Sequence, residues 1–379
     1  MYEASQAFHD AVANREHQIA LLIFDDAVFT NDDIDVSEGI EFNDYFNTEE
    51  DITVGQALSN EISFSVFNDD GLLDDYEFGK FTATIGAQIG TNTYGGNPIV
   101  YTESAEHTYA AFSSLPYLRR DAVAISIQPQ AKVVTMLYYN GIVYCLLENG
   151  TVKAYNDADG TVTSVTLNSF MLSQLNKWEG EGIAYTDDRI LKIFRDNECR
   201  TYEFVPLGVF EAERPNVPTV NLIHFTCYDM MQRFDKDLPS AGELQLTYPT
   251  TVSNLYVKMC NYLDVPYKSS TFSNSTAVIT KQPEEFENTT FREVLQWIAE
   301  LAGSIARFNR DGELVMDWLR YTELTIDEGG YKEFNPYWYE TKKVTRLLNR
   351  TSDGEFQYYY GVGDETYLIQ DNPLLRGVT

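Results

Sequence analysis

The stretch Asn288–Trp318, NTTFREVLQWIAELAGSIARFNRDGELVMDW, constrains the fold most, because every local signal in it agrees. Thr290 and Glu293 have the spacing of a capping box. The threonine hydroxyl can accept from the Glu293 backbone N–H, and the Glu293 carboxylate from the Thr290 N–H. Phe291, Leu295, Ile298 and Ala302 then recur at helical spacing, and Val294 and Leu301 widen the stripe. Gly303 suits the left-handed position that ends a helix, where a Cβ would clash. Beyond it the apolar period falls from about 3.6 to about 2 residues. Ser304–Phe308 and Glu313–Trp318 flank Asn309-Arg310-Asp311-Gly312, a turn signal, so the pattern predicts a capped helix feeding a β-hairpin. Leu314, Met316 and Trp318 would share one face of its second strand. The unit holds no nucleophile beside a base, and its acids fall at cap, surface and turn positions.

A chain of 379 residues is long enough for about two or three domains, each with its own core. The 26 Tyr and 22 Phe favour strands and move the expectation toward a β-rich fold. The charge is extreme: 27 basic residues against 58 acidic ones give a net −31. Such a surface repels phosphates, which argues against sequence-specific DNA binding and against anionic membranes. Between Glu16 and Gly79 there are 18 carboxylates and no Lys or Arg. One reading is a solvated acidic face. The sharper one is a surface built to be negative, such as the wall of a passage through which DNA slides without sticking.

Motifs that carry chemistry are scarce. Cys145, Cys199, Cys227 and Cys260 are far apart, and the His224/Cys227 pair alone cannot close a zinc site, so all four read as buried thiols of a reducing compartment. None of His9, His17, His107 and His224 lies in a metalloprotease pattern, and no nucleophile elbow, P-loop or dinucleotide fingerprint occurs. Asp33-x-Asp35-x-Ser37-x-Gly39 hints at a calcium loop, but its glycine is one place late and no Glu ends it. No cofactor is expected. Two acids suitably spaced could hydrolyse a glycoside, yet among 58 acids some pair meets any spacing. Tyr337-Trp338-Tyr339 could stack on a sugar, although such groups more often fill cores or interfaces. The first residues carry no secretion pattern, and no apolar run approaches the ~20 residues that cross a membrane.

Along the chain, residues 3–14 read as a short amphipathic helix and Gln18–Phe24 as a strand. Short strands follow at Ile34–Val36, Glu41–Phe46, Glu61–Phe67 and Phe81–Ile85, with Ile62, Phe64 and Val66 pointing inward. Val133–Tyr139, Gly141–Leu147 and Thr151–Tyr155, joined at Asn140-Gly141 and Asn149-Gly150, form a predicted β meander. A helix at 170–178 and a hairpin of 183–185 with 190–194 come next. Thr201–Phe210 and Val220–Cys227 read as strands, Tyr228–Phe234 as helical, Thr250–Leu263 as a helix, Thr276–Thr280 as a strand, and 342–370 as two or three strands.

LIHFTCYDMMQRFDKD, then YLDVPY, then TTFREVLQWIAELAGSIARFNRDGELVMDW, resemble the tail hub (baseplate hub) proteins of tailed phages and prophages of Gram-positive bacteria. SQAFHDAV, FGKFTATIGAQIG, VPLGVF and YLIQDNPLL fit the same family in the same order, so the resemblance covers nearly the whole chain. It implies a β-rich α+β fold with two tail-tube-like β-barrels. Residues 1–90 would begin the first barrel, 91–200 form an inserted meander, and 201–240 return and link. Residues 241–310 would form a small helical/β domain and 311–379 supply further strands of the second barrel. It further implies a homotrimeric ring at the tail tip of the virion, between a tube-end (distal tail) protein and a spike or fibre. DNA would pass through its channel without specific binding, and the protein would have no membrane anchor and no catalytic role. Asp25, Asp26, Asp32, Asp33, Asp35, Glu49, Glu50 and Asp51 are then candidate channel-lining acids, and Thr290, Glu293, Gly303, Gly312 and Trp318 structural residues. No peptidoglycan-cleaving domain is expected within these 379 residues. The alternatives are an acidic adhesin that binds a surface glycan, and the non-catalytic part of a wall hydrolase.

Overall fold

The computed structural model describes residues 4–16, 18–24, 28–35, 37, 39–44, 54–68, 73, 79–93, 100–104, 106–111, 117–121, 123–126, 133–139, 141–147, 149, 151–166, 182–187, 190–195, 198–212, 216–219, 221–317, 346–350, 356–361, 367–370 and 372–374. They form a β-rich α+β protein whose strands pair mostly antiparallel, with three α-helices among them: α1 (Gln6–Ala13), α2 (Val252–Tyr262) and α3 (Phe291–Ala302). The expected helix at 170–178, the run Tyr337–Tyr339 and Trp318 lie outside the described residues. Two compact units are discontinuous in sequence. The first holds Met1–Gly39, Ser65–Leu207 and Val217–Ile223; the second holds Ile40–Phe64, Gly208–Asn216 and His224–Thr379.

In the first unit Gln18–Phe24 pairs antiparallel with Val28–Thr30 and with Lys80–Thr93. The latter strand is far longer than the expected Phe81–Ile85. Of the expected Ile34–Val36, Ile34 forms an isolated bridge with Val66, and Val36 lies outside the described residues. The meander is present as Val133–Tyr139, Ile142–Leu147 and Val152–Asn156, and a fourth strand, Val162–Val165, extends it. Its residues serve two cores. Leu137 and Leu146 pack with Ile19, Leu21, Leu191, Tyr202 and Phe204, while Met136, Val143, Cys145 and Leu147 pack with Tyr109, Leu118 and Tyr155. Burial on both faces explains why IVYCLL reads as a continuous apolar run instead of alternating. Val133–Tyr139 also pairs in parallel with Gly182–Asp187, which turns back into Ile190–Arg195 as expected. A separate four-stranded sheet runs Val100–Glu103, Thr108–Ala111, Tyr117–Arg120 and Val123–Ser126 in order.

The second unit is organised by α3. Its capping box is formed, with Thr290 Oγ1 accepting from Glu293 N and the Glu293 carboxylate from Thr290 N. Gly303 closes the helix at φ +61°. The expected hairpin follows as Ile305–Phe308/Leu314–Asp317, with Phe308 opposite Leu314, so its second strand starts one residue after the expected Glu313. Leu314 is fully buried, and Met316 packs against the same core. Both hairpin edges are covered, which the sequence pattern does not reveal. Residues 55–58 run parallel to 304–306 through Gly55 N–Ser304 O, Ala306 N–Gln56 O and Leu58 N–Ala306 O bonds of 2.8–2.9 Å. Residues 266–268 bracket Leu314 in the same manner. The expected helix from Thr250 begins instead at Val252: Thr251 caps it by accepting from Asn254 N, and Thr250–Thr251 pair with Val278–Ile279. The helical segment expected over Tyr228–Phe234 is a 3-10 helix, Met230–Asp235. Asn372 donates to Trp297 O at 2.7 Å and to Glu300 at 2.9 Å, docking Leu374 into the core over α3.

Among the described residues no helix is long and apolar enough to cross a membrane. Two glycines separate two kinds of constraint. Gly303 has a positive φ with open space where a Cβ would sit. Gly312 has φ +75°, and a Cβ there would meet Val209 Cγ2 at 2.7 Å. Gly303→Ala is therefore expected to destabilise by about 1 kcal/mol, the backbone penalty alone, and Gly303→Val by somewhat more. Gly312→Ala is expected to exceed Gly303→Ala because packing strain adds to the same penalty. Urea denaturation of the variants checks the order; equal midpoints for the two alanine variants would contradict it.

Candidate functional site

The expected site residues divide by location. Asp25, Asp26, Glu49, Glu50, Asp51 and Trp318 lie outside the described residues. Asp32 is exposed. Asp33 accepts from Thr30 N at 2.8 Å, and Asp35 accepts from Ser37 N at 2.9 Å and Ser37 Oγ at 2.6 Å. The Ser37 side chain, then its backbone, hold the Asp35 carboxyl below its ordinary value. Asp33 and Asp35 thus shape turns with the oxygens a calcium loop would need. Among the described residues no cluster of three or more His, Cys, Asp or Glu is placed to hold a metal ion. Thr290, Glu293, Gly303 and Gly312 sit in the helix-to-hairpin unit described above.

Two polar constellations were not foreseen. The first, in the second unit, centres on Asp229 and Arg292. Asp229 ends the strand Leu222–Asp229 and caps the 3-10 helix, accepting from Met231 N at 3.0 Å. It also accepts from Asn60 N at 2.8 Å and Ser59 Oγ at 3.0 Å. Arg292, in the first turn of α3, donates to Ala57 O and Met231 O at 3.1 Å each and to Asp235 through Nε and Nη2. Asp229 is only 2% exposed. Desolvation outweighs its hydrogen bonds and the charge of Arg292, and pushes its carboxyl up to about 6. A perturbed acid suggests chemistry, but this one is sealed in the interior, where no substrate reaches it. Two signals in the sequence pointed here: an Asp at the end of a strand before a helical turn, and an Arg where the helix dipole disfavours a cation.

The second constellation, in the first unit, joins the four-stranded sheet to the meander. His107 Nδ1 lies 2.9 Å from Asp121 Oδ2, and Nη2 of Arg120 contacts His107 Nε2. Arg120 also reaches Asp157 at 3.1 Å and the Tyr155 hydroxyl at 3.2 Å. Asp121 further accepts from Thr108 N at 2.9 Å and Thr108 Oγ1 at 3.1 Å. The Thr108 backbone, then His107, hold its carboxyl low. Ser104 Oγ, the nearby hydroxyl, accepts from His107 N at 2.9 Å and serves its turn. The network holds no nucleophile facing the imidazole. Isolated His and Asp residues spread from 107 to 157 left no spacing signal to find.

A third feature is a polar hollow of about 390 Å³ between α1 and the end of Lys80–Thr93, edged by Asp10, Glu16, Gln88 and Thr91. Comparison of the chain with protein-family models, curated proteins and solved structures finds no match in any of the three.

Asp229 makes stability depend on pH. Its folded value of about 6 lies above the ordinary 3.8, so between these values the folded state holds more protons than the unfolded one. Its contribution to stability is therefore greatest below pH ~4 and is lost as pH rises through ~6. The change is up to about 3 kcal/mol. Denaturation of the protein and of Asp229→Asn across this range is expected to show the wild type losing stability relative to the variant as pH rises; parallel profiles would refute the assignment.

Proposed function

We propose that the protein is a structural component of a phage or prophage tail tip. It is a homotrimeric hub ring in which each protomer contributes two tail-tube-like barrels. The ring joins the six-fold tube, through a tube-end protein, to a three-fold spike or fibre, and DNA leaves through its channel. The observation that carries the reading is that four of the stretches with the hub resemblance contribute to one core. Met230, Met231 and Phe234 come from the first stretch, Leu263 and Val265 from YLDVPY, Phe291 to Leu314 from the helix and hairpin, and Leu374 from the Asn-Pro-Leu-Leu element. Residues scattered over about 150 positions resemble the family in order and also need one another to be buried.

The charge adds support. A net −31 with a cation-free run from Glu16 to Gly79 suits a wall that polyanionic DNA must pass without adhering. On this reading the protein performs no reaction; its shape and its field are its contribution.

Electron micrographs of the purified chain at micromolar concentration are expected to show rings with a central opening and three-fold symmetry, with a trimer mass by light scattering. A monomer under all conditions, including with its tube-end partner, would overturn the proposal. Asp32 is the acid to reverse, since Asp33 and Asp35 hold turns. Asp32→Lys is expected to leave melting unchanged and to slow DNA ejection from particles carrying it; unaltered ejection would remove Asp32 from the channel wall.

A further inference from the structure

The strand Lys80–Thr93 outruns its neighbour. Its pairing with Gln18–Phe24 ends where Gln18 lies opposite Ala87, because the chain before Gln18 turns off toward α1. A strand continuing from Gln18 would lie along residues 88–91; the hollow of about 390 Å³ lies there instead. Its walls are α1 and residues 88–91, and no residue of Glu198–Ala212, the strand's second partner, borders it. Among the described residues no backbone bond joins α1 or its turn to residues 88–91. Gly90 and Thr91 are exposed, and a Cβ at Gly90 would meet nothing within 4 Å. The edge Gln88-Ile89-Gly90-Thr91 is uncharged and stands open beside a helix, with neither lysine nor proline to deter pairing.

We propose that the hollow receives an extended, basic segment of a partner protein, which adds as a strand to residues 88–91 and sets a lysine or arginine between Asp10 and Glu16. The strand edge and the charge point to it separately. An edge strand turns the N–H and C=O of every second residue outward, and an incoming extended chain pairs with both. Asp10 and Glu16, both exposed, border the hollow, and no described cation forms an ion pair with either. Gln6 Nε2 donates to Asp10 Oδ1 at 2.8 Å and holds that carboxylate in place. Ala7 and Ala11, on the same wall, are short and apolar, which suits the methylene stem of a basic side chain. A second copy is a poor occupant, since each carries a net −31. Four residues span about 13 Å of strand, so the contact is small and its binding transient. The site stands independently of the tail-tip reading.

Backbone amide resonances of the intact chain at low salt test it with three blocked hexapeptides. One alternates threonine and lysine, one has glutamate in place of lysine, and one is the lysine peptide N-methylated throughout. The lysine peptide is expected to shift the amides of residues 88–91 and to slow hydrogen exchange at alternate positions among them. The other two are expected to leave exchange unchanged, one for its charge and one for its missing donors. Asp10→Asn with Glu16→Gln, both at exposed positions, is expected to weaken the lysine peptide about fivefold. Exchange that the lysine peptide does not slow, an equal response to the glutamate peptide, or undiminished binding by the double variant would overturn the proposal. Slowing that survives N-methylation would reduce the hollow to a cation pocket and overturn strand addition. A dimer mass in which residues 88–91 are protected without peptide would assign the edge to a second copy and overturn it as well.

Discussion

The guanidinium of Arg292 gathers three stretches that are remote in sequence, and the second unit depends on that gathering. Its position in the first turn of α3 is locally unfavourable, because the helix dipole repels a cation there. The compensation is a set of bonds to Ala57 O, Met231 O and Asp235. Asp229 fixes the same stretches from the other side through Ser59, Asn60 and Met231. With residues 57–60 so held, segment 55–58 can lie parallel along the hairpin edge at 304–306. Parallel pairing needs a long connection and gains nothing until the loop is closed. Here the contact from Arg292 to Ala57 spans 235 residues. Charge-assisted bonds to backbone carbonyls are among the stronger ones and help to hold such a closure.

This division between local and remote determines what could be read from the sequence. The capping box, the helix stripe, the Gly303 stop and the hairpin follow from neighbours a few residues apart, and the structure has all of them. The alternation of Ile62, Phe64 and Val66 is equally local, and all three are buried. Segment 55–58 carries neither alternation nor a turn signal, so nothing marks it as an edge strand. Lys80–Thr93 runs past the expected Phe81–Ile85 for a different reason. At Gly86, the next residue, a Cβ would meet the Phe204 ring at 2.7 Å, so this glycine serves close packing inside the strand. Asp229 and Arg292 are single polar residues whose meaning lies in partners tens or hundreds of positions away.

The acids obey a related logic. Of the candidate channel residues, Asp33 and Asp35 spend their oxygens on Thr30 and Ser37 within the same turns. Their charges remain, but their positions are set by backbone geometry. Cations are too few to neutralise the rest. Arg120, Arg233 and Arg292 are engaged with Asp157, Glu211 and Asp235. With 27 bases against 58 acids, pairing each base with one acid would leave more than half of the carboxylates without a cation. The negative field is therefore a property of composition more than of fold, and its reach is set by the ionic strength around it.

A field fixed by composition is shared by many acidic proteins and discriminates weakly. A core that needs LIHFTCYDMMQRFDKD, YLDVPY, the capped helix and Asn-Pro-Leu-Leu together discriminates better, because changing one stretch leaves the others unburied. Asn372 illustrates the dependence: its amide bonds to Trp297 O and Glu300 tie the closing element to α3 near its end, and Leu374 then fills the core beside it. A resemblance carried by scattered surface letters could arise piecemeal. One carried by residues that bury each other has to be kept as a set, and the tail-tip reading rests on that set more than on charge.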